Sequence, residues 1–130
     1  MAAGLLIDTD VLIDYLRGNT MAVNYLEGLT NPLFVSSMTV GELYAGVREG
    51  RERSALDAFL RGFGILPVDS KIAVMGGLFC RDHRKSDGVG LADAFIAATA
   101  KTHDLDLITL NRKHYPMLPG VIVPYQKNHK

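Results

Sequence analysis

The chain has 130 residues, 48% of them hydrophobic, and its 14 Lys and Arg balance 14 Asp and Glu. That length suits one domain with one real core, and the neutral balance excludes a global field that would draw the protein onto nucleic acid or an anionic membrane. The single cysteine, Cys80, excludes an internal disulfide framework, and with no basic N-terminal region and no apolar run near the ~20 residues of a membrane span, a cytoplasmic protein is expected.

Leu5 to Ile7 form a short continuous apolar run, the pattern of a strand covered on both faces. Behind it Val11, Leu12, Tyr15 and Leu16 recur at helical spacing up to Gly18, with Asp10 in the N-cap position. A second helix is expected over Met21 to Leu29, stopped by Asn31-Pro32, and "LFVSS" reads as the second strand. Val40, Leu43, Tyr44 and Val47 mark a third helix; Leu56, Phe59, Leu60 and Phe63 mark a fourth, after the charged "REGRER". "ILPV" at 65 to 68 gives a third strand, with Pro67 pointing to a sheet edge. Ile72 to Arg84 reads as a helix weakened by Gly76-Gly77, followed by the polar break "RKSDGVG". Leu91 to His103 is Ala-rich and apolar round most of its circumference, which assigns it to the interior. "LDLITL" at 105 to 110 is the fourth strand and "GVIVPY" at 120 to 125 a fifth. The alternation predicts an α/β fold in three layers, α/β/α, with a mostly parallel central sheet of four to five strands and helices on both faces.

In such a sheet ligands bind beyond the carboxyl ends of the strands, where the strand order reverses. Asp8 and Asp10 follow the first strand and Asn111 the fourth, so they stand where site residues would. A charge ending an apolar strand is costly unless it is compensated, which marks Asp8 as functional. Asp10 has an ordinary alternative as a helix cap, and Asp14, beside Arg17 and Gly18, reads as a solvated residue. Glu42 completes a capping box with Thr39, yet it lies off the apolar face of its helix and is able to face a cleft. Asp93 opens the buried Ala-rich helix on the side of Ile96 and Ala97, where an acid needs a partner. A helix N-terminus offsets only about 0.3–1 kcal/mol of its burial cost, and a metal cation would supply the rest. Thr109 and Asn111 flank Leu110 at a strand end and offer hydrogen bonds. Arg81, His83, Arg84 and Lys85 form a basic group that is either a solvated helix face or a place for phosphates; Cys80 reads as a small buried hydrophobe.

Four blocks, "LLIDTDVLIDYLRG", "SSMTVGELYAG", "GVGLADAFIAATA" and "LDLITLNRKHY", occur in an order and spacing that resembles PIN-domain ribonucleases, most closely VapC-type toxins of bacterial toxin–antitoxin pairs. The likeness covers nearly the whole chain and implies a single PIN domain over 1–130 with the PIN-like three-layer fold. It implies that Asp8, Glu42 and Asp93 are metal ligands and catalytic residues, that Asn111 stands in the position of a fourth acid, and that Thr109 and Asp10 support them. Three converging carboxylates would repel one another unless a divalent cation neutralised them, and carboxylate ligands without thiol or imidazole suit Mg²⁺ or Mn²⁺. The implied activity is metal-dependent endoribonuclease cleavage of RNA, with Arg81, Arg84 and Lys85 as RNA contacts. Implied partners are a second copy in a homodimer and a VapB-like antitoxin, docked in an apolar groove beside the second and third helices near Tyr44 and Val47.

Two rival readings stand beside it. A PIN module impaired by Asn111 would bind RNA or a repressor partner without cutting, equally well in EDTA. A phosphatase of the haloacid-dehalogenase type would use "IDTDV" as nucleophile and acid, but would need a Lys and an acidic pair where this chain has "ITLNRKH".

Overall fold

Strands form at the short apolar runs and helices at the 3.6-residue patterns between them. The computed structural model describes residues 3–127. In chain order the elements are β1 (Leu5–Ile7), α1 (Thr9–Leu16), α2 (Thr20–Glu27), β2 (Leu33–Ser36), α3 (Ser37–Ala45) and α4 (Arg51–Leu60). They continue with β3 (Gly64–Leu66), α5 (Ser70–Asp87), α6 (Leu91–Thr102), β4 (Asp106–Ile108), a 3-10 turn at Arg112–His114, and β5 (Val121–Ile122). The five strands make one wholly parallel sheet in the order β3-β2-β1-β4-β5.

Successive strand residues face opposite sides of the sheet, so each strand feeds two cores. Leu5 and Ile7 join Val35 and Ile108 beneath residues of α1 to α4, among them Val11, Leu12, Leu26, Leu43 and Leu56. Leu6 and Leu107 point the other way and meet Ile96, Ala97 and Ala100 of α6. This gives the expected three layers. The Ala-rich α6 is interior as expected, with Ala94, Ile96, Ala97, Ala98, Thr99 and Ala100 all buried. β3 lies at the sheet edge with Pro67 just beyond it, where a missing N–H costs no ladder bond.

Some boundaries differ from the sequence reading. The helix expected from Ile72 starts at Ser70, because Asp69 accepts from the Ile72 N–H at 2.9 Å as an N-cap. It runs through Gly76-Gly77 unbroken and ends at Gly88, whose φ of +66° is the left-handed stop that glycine adopts freely. Gly76 is there for packing: a Cβ would collide with the Phe95 ring of α6, so its absence lets α5 and α6 approach closely. β4 stops at Ile108, two residues early, because Thr109 and Leu110 turn to serve the site described below. No helix among the described residues is long and apolar enough to cross a membrane.

β1 is central, and the order reverses between it and β4. The carboxyl ends of these two strands therefore border the crevice where α/β sheets bind ligands.

Candidate active site

Asp8 follows β1 directly. Its backbone N–H donates to Ile108 of β4 at 2.9 Å, which closes the gap between the two strand ends. It is also the N-cap of α1, in extended conformation, a correction to the expectation that Asp10 held that place. Its carboxylate is 5% exposed and takes three protein donors. Oδ1 accepts from Thr9 N–H at 2.8 Å; Oδ2 accepts from the Thr109 hydroxyl at 2.7 Å and from the Tyr115 hydroxyl at 2.9 Å. Burial pushes the Asp8 carboxyl above the ordinary carboxylate range; these hydrogen bonds oppose the push, and the Asp93 charge adds to it.

Asp10 lies in the first turn of α1, its carboxylate accepting from Val11 N–H at 2.7 Å and Leu110 N–H at 3.1 Å. It thereby ties α1 to the turn after β4. Burial, then the neighbouring Asp8 charge, push its carboxyl up to about 7. Asp93 reaches the same crevice from the first turn of α6, with Oδ1 3.4 Å from the Tyr115 hydroxyl and Oδ2 3.2 Å from His114 Nδ1. Tyr115, 1% exposed, bridges Asp8 and Asp93. Burial and the charges of Asp8 and Asp93 push its hydroxyl upward, so it remains a neutral donor.

The structure moves other residues from their expected roles. Glu42 makes no capping box, since Ser36 caps α3 and Thr39 is buried within it. Instead Glu42 Oε1 accepts from the Thr9 hydroxyl at 2.7 Å, and Thr9 and Thr39 share a 3.0 Å contact. Among the described residues, Glu42 is thus linked to Asp8 through Thr9. Asn111 is exposed and enters the network through its backbone N–H, 3.1 Å from Thr109 Oγ1. Asp14 is not solvated: it is 5% exposed and holds Tyr125 Oη and Lys127 Nζ, each at 2.7 Å. Thr9, Tyr115 and Asp14 were missed by the sequence reading. Asp14 had a signal, three residues after core Val11, but its partners lie at the far end of the chain.

The donors at the crevice are carboxylate and hydroxyl oxygens, with the His114 imidazole on Asp93, and the oxygens are what suits a hard cation. Among the described residues no three His, Cys, Asp or Glu side chains converge as a ready ligand cluster. Asp8 and Asp93 are the two carboxylates here that could hold Mg²⁺ or Mn²⁺, a cation that accepts one or two carboxylates and keeps several waters.

The PIN-domain profile matches residues 5–117. The chain belongs to the PIN-domain family. Ribonuclease VapC19 of Mycobacterium tuberculosis is 41% identical to this PIN domain over 124 residues, covering 92% of this chain and 98% of the relative. A toxin–antitoxin complex from Klebsiella pneumoniae superposes with a TM-score of 0.81 at 32% identity, over 95% of this chain and 99% of that one. VapBC2 from Rickettsia felis, solved with a DNA fragment from its promoter, superposes with a TM-score of 0.73 at 26% identity, over 92% and 96%.

The groove of this PIN domain runs between α1, α3 and α4 rather than beside the second and third helices. It has a volume of about 520 Å³ and is lined by Leu16, Leu43, Val47 and Leu56, with Arg17, Arg48, Glu42 and Glu52 around them. Val47 lines it as expected; Tyr44 instead binds Asp57 of α4. Of the basic group on α5, Arg81 pairs with its neighbour Asp82 at 2.8 Å, and Arg84 and Lys85 are exposed in the last turn.

Proposed function

We propose that this PIN domain is a metal-dependent endoribonuclease of the VapC type, the toxin of a toxin–antitoxin pair, hydrolysing RNA phosphodiester bonds. One observation carries the reading. Asp8 and Asp93, brought from β1 and α6, meet at one hydroxyl in the crevice between β1 and β4. The family likeness supplies the substrate class, and membership of the PIN family leaves the phosphatase reading without support.

In this reading Asp8 and Asp93 hold Mg²⁺ or Mn²⁺, and Glu42 acts through a water beyond Thr9. When bound, such a cation lowers the pKa of a water and offsets charge developing on the phosphate. The chain's own groups set the geometry. Thr9 N–H and Thr109 orient the Asp8 carboxylate, and Asp10 fixes the turn that carries Thr109 through the Leu110 N–H. The exposed amide of Asn111, on that same turn, meets a phosphate oxygen of the RNA, and Arg84 and Lys85 follow its backbone.

The partner is a VapB-like antitoxin, as the toxin–antitoxin complexes among the structural neighbours support. Its segment takes the α1/α3/α4 groove, whose apolar floor and mixed charges suit an amphipathic peptide. The reading includes a homodimer, for which Val74 and Leu78 of α5, exposed at 64% and 44%, offer apolar surface.

The test is cleavage of total RNA by the purified protein with Mn²⁺, Mg²⁺ or EDTA, beside Asp93→Asn. Cleavage is expected only with metal and only with Asp93 present. RNA that is bound in EDTA as well as in Mn²⁺, and never cut, would replace the enzyme by the binding module.

A further inference from the structure

A carboxylate offers about four lone-pair sites, and three of those on Asp8 are already used by Thr9 N–H, Thr109 and Tyr115. The one left is on Oδ1, beside the Thr9 N–H; both sites of Oδ2, the oxygen linked through Tyr115 to Asp93, are taken by Thr109 and Tyr115. Of the three donors, Thr9 N–H is fixed by the helix start and Thr109 belongs to the turn tied down by Asp10. Tyr115 differs from both. It is the last donor before the chain leaves the crevice, it follows a short 3-10 turn, and its hydroxyl lies between Asp8 Oδ2 and Asp93 Oδ1, at 2.9 and 3.4 Å. A phenol has one proton, which the shorter distance gives to Asp8, so its oxygen occupies the space between the two carboxylates that a shared cation needs.

Resting on the cation site proposed above, we infer that Tyr115 is a built-in competitor for that site. Its hydroxyl satisfies Asp8 and keeps the two acids together, and it has to yield the Asp8 oxygen when a cation is shared by Asp8 and Asp93. Tyr115 is therefore a positioning residue with two opposed effects. It stabilises the folded protein without metal and weakens the metal affinity of the same carboxylates. The ring itself is core, packed with Leu6, Ile96, Ala97, Ala100 and Leu107, so removal of the oxygen alone leaves the packing in place.

The experiment is Mn²⁺ titration by calorimetry, with melting temperatures in EDTA and in saturating Mn²⁺, for the wild-type chain and Tyr115→Phe. Tyr115→Phe is expected to tighten Mn²⁺ binding by about three- to tenfold and to melt lower in EDTA, with most of that loss recovered in Mn²⁺. Unchanged or weaker Mn²⁺ binding by Tyr115→Phe, or an equal melting loss with and without Mn²⁺, would overturn the inference and leave a structural hydroxyl. A wild-type chain that binds no Mn²⁺ defeats the cation site itself, a separate failure. Should Tyr115→Phe not fold, the tyrosine absorption of the wild type decides the matter. A blue shift that saturates with Mn²⁺ binding is expected as the phenol leaves its charged acceptor, and no shift at full occupancy would overturn the inference.

Discussion

Asp14 and Asp8 are buried acids on or beside the same helix, each 5% exposed, and their partners could hardly differ more. Asp14 holds a lysine ammonium and a tyrosine hydroxyl from the C-terminal segment, so its charge is cancelled within the chain. Asp8 has three neutral donors, and Asp10 has two backbone N–H groups. Among the described residues no Lys or Arg forms an ion pair with Asp8, Asp10, Asp93 or Glu42. A buried acid with a resident cation ties the fold together. Asp8 is a buried acid whose three donors are all neutral, and with Asp10 and Asp93 at the same crevice it is arranged to receive positive charge from outside.

That contrast is broken most sharply at Asp8 and Asp93. Asp8→Asn or Asp93→Asn should lower RNA cleavage by roughly a hundred- to a thousandfold, while circular dichroism shows the fold intact. Cleavage at the wild-type rate would remove that residue from the site. Asp14→Ala should do the reverse. It should cost about 1–3 kcal/mol in urea unfolding and spare the cleavage rate of the remaining folded protein, because the hydrogen bonds lost run to Tyr125 and Lys127 and none to Asp8 or Asp93. A stability like wild type would mean that the Asp14 tie holds nothing.

The crevice also carries a pH dependence. Asp10 is pushed up to about 7 in the folded chain by burial and by Asp8, above the ordinary value of 3.8. Between those values the folded state binds more protons than the unfolded one, so stability falls as pH rises, by at most about 1.4 kcal/mol per pH unit for one proton. The expected result for metal-stripped protein is a melting temperature that drops from pH 5 to pH 8. Added Mn²⁺ should restore it at pH 8 and do little at pH 5. A melting temperature that rises over this range in EDTA would show that Asp10 is ionised without difficulty.

How legible the sequence was follows the same division. β1, β4 and α6 could be read because a covered strand or helix needs an apolar run, and Asp8 stood out as the charge that ends one. The reach of Asp10 to Leu110 could not be read, since it depends on β1 and β4 being sheet neighbours. The Gly76-Gly77 pair was legible only as a weakness, because the reason for Gly76 is the Phe95 ring on the next helix, and Gly77 has no such neighbour. Tyr115 drew no reading at all; a 3-10 turn carries it back under the sheet end, and no periodic pattern announces such a turn. Contacts between distant segments, which make the site, were the part hidden from a linear reading.

The smallest effect concerns cations, and it applies the Asp8 and Asp14 contrast to the opposite charge. Arg81 is paired with Asp82, as Lys127 is with Asp14, whereas Arg84 and Lys85 form no ion pair among the described residues. These two occupy the last turn of α5, and the short Gly88-Val89-Gly90 connection leads from them into the turn of α6 that carries Asp93. Basic groups without a carboxylate of their own are the ones left for phosphates. Neutralising Arg84 and Lys85 to Gln should therefore reduce the slope of log affinity for single-stranded RNA against log salt by about 0.7 per charge that contacts a phosphate. Arg81→Gln should leave the slope unchanged, because that side chain is already engaged. If all three substitutions behave alike, pairing within the chain does not decide which cations reach RNA.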